Sequence, residues 1–258
     1  MFGDQVMDSG QLTWKEQIQV PSHAVDLYGR IKFYHICYYL FDIASRHAHS
    51  LHWGYDDLQE QEQYWVLSRL HVKMLKYPGM HDSIILETWP KGISRLFALR
   101  DFIFSSAKGE TICLATTAWL IVDAATGRPV RINDFSKLYN FDTGRHSIKE
   151  VPGKLPVVDV PEQSREISAA YSDLDINRHV TSGKYIEWVQ NCFDAGAYEK
   201  TSIREFRMNF LSETRYGENI ILHWMSDQSS EAGYFFEGIK GSYDFPVFRA
   251  YVKMDTPS

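Results

Sequence analysis

Two stretches of the chain carry the same alternation of side chains. In Leu70-His71-Val72-Lys73-Met74-Leu75 and in Phe206-Arg207-Met208-Asn209-Phe210-Leu211, apolar and polar residues take turns. A period of two is that of a half-buried strand. The second stretch starts 136 positions after the first (206 − 70 = 136). Ile84-Ile85-Leu86 and Ile220-Ile221-Leu222 keep that spacing, as do Leu99 and Phe235, Asp101 and Glu237, and Ile103 and Ile239. The register is therefore expected to run without gaps from Leu70 to Ile103. Such an internal repeat implies two copies of one supersecondary unit. The second copy ends where the first copy's last strand, Ala118 to Val122, runs into the turn Ala125 to Pro129.

Upstream of these strands the period changes to that of a helix. Phe33, Ile36, Cys37, Leu40, Phe41 and Ala44 form one apolar stripe, and Tyr185, Trp188, Val189, Cys192 and Phe193 form another. Tyr34, Tyr38, Tyr39 and Ile43 make the first helix apolar on its other faces too, which predicts a buried helix wrapped by a sheet. Phe41-Asp42 matches Phe193-Asp194 at a spacing of 152, so the first half is expected to hold 16 extra residues as a polar loop within Ser50 to Tyr64. Each half reads as a helix followed by about four strands, with one more strand before it, Leu12 to Val20 and Arg165 to Tyr171. Consecutive strands without intervening helices imply an antiparallel sheet and an α+β class. Asp123 to Gln163 carries Pro129, Pro152, Pro156 and Pro161 and reads as a surface crossover. The expected division is 1–130, a crossover at 131–163, and 164–258.

Composition narrows the function classes. A net charge of −6 argues against a nucleic-acid partner. Cys37, Cys113 and Cys192 form no CxxC pair, so reduced thiols in a cytoplasmic protein are expected, with no zinc site and no disulfide framework. The N-terminus, Met1 to Gln19, has no apolar core of a signal peptide, and the apolar stretch Phe33 to Ala44 is too short to span a bilayer.

The segment Tyr171-Ser172-Asp173-Leu174-Asp175-Ile176-Asn177-Arg178-His179-Val180 carries the candidate chemistry. Asp175, Asn177 and His179 alternate just before the second helix, whose first amides are free and partly positive. A carboxylate, an amide and an imidazole at such a terminus are the parts needed to hydrolyse a carbonyl compound. A polar turn that merely caps the helix has the same composition, and the pattern alone leaves both open. The repeat singles out a second carboxylate. Tyr77-Pro78 corresponds to Glu213-Thr214, and only the second copy has an acid there; Glu205 and Glu218 read as solvated strand-end residues.

With these residues in hand, the chain resembles the acyl-acyl-carrier-protein thioesterases. Asp173-Leu174-Asp175-Ile176-Asn177-Arg178-His179-Val180, followed by Lys184-Tyr185-Ile186 and Trp188, is similar to the family's long signature. Trp65 to Leu70, Tyr77-Pro78, Asp82 and Arg100-Asp101-Phe102 resemble its first-domain strands. The resemblance implies two tandem hot-dog domains and the hydrolysis of fatty acyl-acyl-carrier-protein thioesters, as in fatty acid biosynthesis, without metal or cofactor. It places the catalytic Asp, Asn, His and Glu on Asp175, Asn177, His179 and Glu213. Where plant members carry Cys, this chain has Thr214, so a thiol nucleophile is excluded there. The family's two Asn after His-Val are Thr181 and Ser182. A cytoplasmic, bacterial-type enzyme is implied, and by analogy a homodimer.

Two routes follow from the resemblance: attack by Asp175 with Glu213 activating water on the anhydride, or direct attack by water on a carboxylate base. Both need an oxyanion donor, expected among the backbone N–H groups of Val180 to Gly183. Asp26-Leu27-Tyr28-Gly29 is a rival acid, because single-domain hot-dog thioesterases use Asp-x-x-Gly before the helix; no His or Asn follows it at matching spacing. His47, His49 and His52 read as polar helix-end residues rather than metal ligands. The acyl chain is expected along the first half's aromatic helix. The acidic carrier protein would need a local patch, with Arg178 and Lys184 as its candidates. Rival functions are an acyl-CoA thioesterase, an enoyl-thioester hydratase or dehydratase (which usually has Pro where Arg178 stands), and a non-catalytic acyl-binding protein.

Overall fold

The computed structural model describes residues 12–131, 144–241 and 245–255. Residues 1–11 and 132–143, within the N-terminal stretch and the crossover read from sequence, lie outside the described residues. The first half comprises β1 (Trp14–Gln19), α1 (Phe33–Ser50), α2 (Tyr55–Gln59), β2 (Gln63–Met74), β3 (Ser83–Ser94), β4 (Phe97–Ser106) and β5 (Thr111–Asp123). The second comprises β6 (Gln163–Ser168), α3 (Ser182–Gln190), α4 (Ala197–Lys200), β7 (Ser202–Phe210), β8 (Asn219–Ser226), β9 (Gly233–Lys240) and β10 (Phe245–Asp255). The strands form one antiparallel sheet in the order β1-β3-β4-β5-β2-β7-β10-β9-β8-β6. Each half thus contributes the same five-strand order, reversed across the middle, which is the α+β, double hot-dog arrangement.

The repeat is visible in the pairing itself. At the centre of the sheet His71 of β2 lies opposite Arg207 of β7, its own counterpart (207 − 71 = 136). A pseudo-twofold axis therefore passes through that pair. The ladder breaks between Leu67 and Arg69 on β2 and between Ile203 and Glu205 on β7, leaving Ser68 and Arg204, again counterparts, as the bulged residues. One expectation needs correcting. Ile84 pairs with Ser106, but its counterpart Ile220 pairs with Lys240, not with residue 242. The register slips by two at the second hairpin, so Phe102 rather than Arg100 matches Phe236. An even slip keeps every side chain on its face, so alternation alone does not reveal it.

The helices also differ from expectation. The pre-helix turns match at a spacing of 149 rather than 152, with Leu174 bridging Val180 as Val25 bridges Ile31. Buried Ile36, Cys37 and Leu40 then correspond to buried Tyr185, Ile186 and Val189. The first half holds 13 extra residues (149 − 136), not 16, and they lengthen α1 and form α2 rather than a plain loop. Helix α3 has nine residues and stops at Gln190, so Cys192 and Phe193 lie beyond it. Helix α1 is not buried all round, because Asp42, Ser45 and Arg46 are exposed.

The two helices pack on each other and on the inner face of the sheet. Val72, Phe102, Phe206, Phe236 and Phe248 of the strands meet Phe33, Leu40, Ile186 and Val189 of the helices in one core that spans both halves. The ring centroids of Phe33 and Phe206 are 5.0 Å apart. Burying each such side chain contributes about 1.5–3 kcal/mol. A Cβ at Gly183 would sit 2.4 Å from the Tyr38 ring, so the crossing of α1 and α3 requires glycine there.

On the outer face the crossover is tied down by buried acids. Asp101 accepts the Ser147 N–H at 3.0 Å and lies 3.3 Å from the Lys91 ammonium. Glu237 accepts the Val158 N–H and pairs with Arg249 at 2.7 Å. Three polar residues are set differently from expectation. His47 is buried, its Nδ1 2.9 Å from Arg100, rather than solvated at the helix end. Glu205 sits between His71, at 2.7 Å, and Arg207, at 2.5 Å, and these partners hold its carboxyl down at about 2. Glu218 joins Lys240 at 2.9 Å.

Candidate active site

The chain between β6 and α3 makes a short 3₁₀ turn at Tyr171–Asp173 and then a tight loop closed by the Leu174–Val180 bridge. Asp175 organises that loop. Its Oδ1 accepts the backbone N–H of Asn177 at 2.9 Å and of His179 at 3.2 Å, while its own N–H donates to the His179 carbonyl at 2.8 Å. This is an Asx turn. The turn-capping alternative is thus partly right, but what Asp175 caps is its own loop. The N-cap of α3 is Thr181, which makes no side-chain capping bond. The anchor of the segment is Asp173, buried, which accepts the Ala170 N–H at 2.9 Å and pairs with Lys184 at 3.1 Å.

Glu213 reaches the same place from the turn after β7. The Val180 N–H donates to the Thr214 carbonyl and His179 bridges Arg215, which zips the two segments together. His179 Nε2 lies 3.1 Å from Glu213 Oε2. His179 and Glu213 remain 23% and 46% exposed, open enough for water and substrate. Asp175, Asn177, His179 and Glu213 all line one groove of about 470 Å³. Asp175 keeps Oδ2 clear of the loop's backbone bonds. Ser182 and Tyr185 of α3 face the same groove; burial pushes the Tyr185 phenol up to about 12, so it stays a protonated donor.

The first half supplies the opposite wall through Tyr64, Trp65, Leu67 and Leu120. Burial, with the charge of Glu213, raises the Tyr64 phenol. The sequence gives no sign that Tyr64 belongs to the site, because it reaches the groove only when β2 pairs with β7. Tyr64, Trp65 and Asn177 also line a second, mostly apolar cavity of about 180 Å³ between α1 and the first half's strands, with Phe41, Ala44, Ala48 and Trp119. Those three side chains stand between the two spaces.

The rival acid Asp26 occupies an identical turn. Its Oδ1 accepts the N–H of Tyr28 at 2.9 Å and of Arg30 at 3.0 Å, and Oδ2 lies 3.5 Å from the Arg30 guanidinium. Tyr77 stands where Glu213 would be, half-buried, its hydroxyl donating to the Ile203 carbonyl at 2.6 Å. The space there is only about 10 Å³. Among the described residues no group of His, Cys, Asp or Glu is arranged to hold a metal ion, and no helix is long and apolar enough to cross a membrane. Cys37, Cys113 and Cys192 are free thiols.

Comparison with known families decides what this arrangement belongs to. Residues 11–139 match the acyl-ACP thioesterase N-terminal domain, and residues 159–241 match the acyl-ACP thioesterase C-terminal domain. The chain belongs to the acyl-ACP thioesterase family. It is 24% identical to the chloroplastic oleoyl-acyl carrier protein thioesterase 2 of Arabidopsis thaliana, over 93% of this chain and 70% of that one. Other curated relatives are spanned less fully, such as that of Coriandrum sativum at 53% of its length. An acyl-ACP thioesterase from Bacteroides thetaiotaomicron superposes with a TM-score of 0.86 and 27% identity, covering 96% of this chain and all of that one. The 12:0-ACP thioesterase of Umbellularia californica shares the fold with a TM-score of 0.82 and 20% identity, over 95% and 94% of the two chains. Both superpose over nearly their whole length, so the two halves described above share their fold.

Proposed function

We propose that this family member hydrolyses fatty acyl thioesters of an acyl carrier protein, with Asp175, Asn177, His179 and Glu213 as its catalytic residues. One observation carries the reading: two carboxylates and an imidazole from separate segments meet in an open groove beside an apolar cavity. The first half's equivalent is closed and lacks both the imidazole and the second acid.

In this reading each group has its own work. The cavity beside Phe41, Ala48 and Trp119 takes the acyl chain, which places the thioester at the groove near Asn177. The amides of Ser182 and Gly183, in the first turn of α3, face the developing oxyanion; removing one such donor typically costs about a hundredfold to a thousandfold in rate. Asp175 presents Oδ2 as nucleophile or base from a loop that its Oδ1 has already made rigid. Glu213, oriented by His179, takes the proton of water. The departing thiolate is a weak base (alkyl thiols have pKa near ~8.5), so no strong general acid is needed.

Attack by Asp175 would form an anhydride that water then cleaves, whereas attack by water would form the free acid in one step. Single turnover in heavy-oxygen water separates them, because only the first route puts label into Asp175. The reading as a whole is tested by thiol release from one acyl group carried on acyl carrier protein and on coenzyme A. Faster release from the carrier protein is expected. Equal or faster release from coenzyme A would redirect the assignment to an acyl-CoA thioesterase, and hydration of an enoyl thioester without thiol release would sink it.

A further inference from the structure

The working turn differs from its silent copy at two positions that catalysis does not use. Gly29 and Gly79 of the first half correspond to Arg178 and Arg215 of the second, as the Arg30–Gly79 and His179–Arg215 bridges show. Gly29 has φ +77° and Arg178 has φ +64°. Glycine adopts that left-handed backbone freely, whereas a side chain held there is strained, and such strain gathers at functional positions. The fold draws little on these charges: of the two, Arg215 helps Lys240 lower the Glu218 carboxyl. Among the described residues neither Arg178 nor Arg215 stands in an ion pair, while Lys184, the other cation expected at the mouth, is held by Asp173 at 3.1 Å and Glu187 at 2.9 Å. The acids beside them are engaged as well, Glu213 by His179 and Glu218 by Lys240. An apolar rim does not distinguish the two turns, because Ile176 is 78% exposed and its counterpart Leu27 is 72% exposed. Beyond its proposed catalytic groups, the working turn adds these two cations.

We infer that Arg178 and Arg215 form the docking surface for an acidic carrier protein; this rests on the carrier-protein reading above. With a net charge of −6 the chain repels an acidic partner at long range, so local cations on either side of His179 set its orientation. Neither arginine lines the groove, which places them against the carrier's surface rather than against the thioester arm inside.

The test uses R178G/R215G, which installs the residues of the silent turn, and R178K/R215K, which keeps the charge. Dissociation of holo carrier protein is measured directly. Thiol release is measured for one acyl group on carrier protein, on coenzyme A and on N-acetylcysteamine. For R178G/R215G, Kd and KM for carrier protein are expected to rise at least about tenfold, with the wild type falling towards it as salt is raised. The N-acetylcysteamine thioester should react within about twofold of wild type, and the lysine pair should recover most of the loss. An unchanged Kd overturns the docking surface. So does an equal loss on N-acetylcysteamine, which would make the arginines structural, or an equal loss on coenzyme A, which would assign them to the arm's phosphate. A wild type that binds the carrier through these arginines yet releases no thiol sinks the hydrolase reading and leaves the docking surface standing.

Discussion

The turns at Asp26 and Asp175 have the same backbone. In each, Oδ1 of the aspartate accepts two N–H bonds from its own loop, and the loop is closed by a bridge and followed by a helix. Besides the two arginines that replace Gly29 and Gly79, three surrounding side chains differ: Tyr28, Arg30 and Tyr77 in the first, Asn177, His179 and Glu213 in the second. Arg30 returns to pair with Asp26, and Tyr77 fills the space between the halves. The same backbone is a structural joint at one end of the molecule and an open groove at the other. An Asx turn is therefore not itself catalytic machinery; it is a rigid mount, and its neighbours decide its use.

The largest expected effect separates the two aspartates. Asp175→Asn retains an oxygen for the loop bonds but loses the carboxylate, so thiol release should fall at least about a thousandfold with the circular dichroism spectrum unchanged. Asp26→Asn should change it by no more than about twofold. Comparable losses in both variants would end the distinction drawn between the turns.

Next comes the second acid against its tyrosine counterpart. Glu213→Gln should lower kcat by about a hundredfold or more, the usual contribution of a positioned general base. Tyr77→Phe should leave kcat alone but cost about 1 kcal/mol of stability, since the Ile203 carbonyl loses its half-buried donor. Urea denaturation and steady-state kinetics on the same two variants check this; a Tyr77→Phe enzyme with slowed turnover contradicts it.

A smaller effect probes the apolar cavity. Ala48→Trp should fill it and reduce kcat/KM for long acyl chains by about tenfold while sparing short ones. A chain-length series reads it out, and a uniform loss across lengths would dissociate the cavity from the acyl chain.

The smallest effect lies on the pseudo-twofold axis. Glu205 has its carboxyl depressed to about 2 by His71 and Arg207, below the ordinary 4.5. Its stabilising contribution is complete above the unfolded value and is lost as pH falls from about 5 towards 2. Glu205→Gln should flatten the fall of Tm across that window. A Tm curve parallel to wild type would show that the pair does not couple to folding.

Much of this molecule was legible along the chain because it depends on short-range periodicity. The alternation around Leu70 and Phe206, the helical stripes and the two-copy order are each set by which face of an element must be buried. The group Asp175, Asn177 and His179 was legible for a related reason: three residues of one short loop cannot be far apart. Glu213 was found through the asymmetry of the repeat, since the fold has no need of an acid where Tyr77 serves. Local pattern did not carry length and slip. The early end of α3 and the two-residue shift of β9 keep the same faces buried, so periodicity cannot detect them. Tertiary structure alone decided that Tyr64 walls the groove, that His47 is buried against Arg100, that Lys184 is consumed by Asp173, and that Arg215 stands beside His179. Each depends on elements brought together by the pairing of β2 with β7 or by the packing of the helices on the sheet, and contacts between residues distant in sequence leave no trace in local spacing.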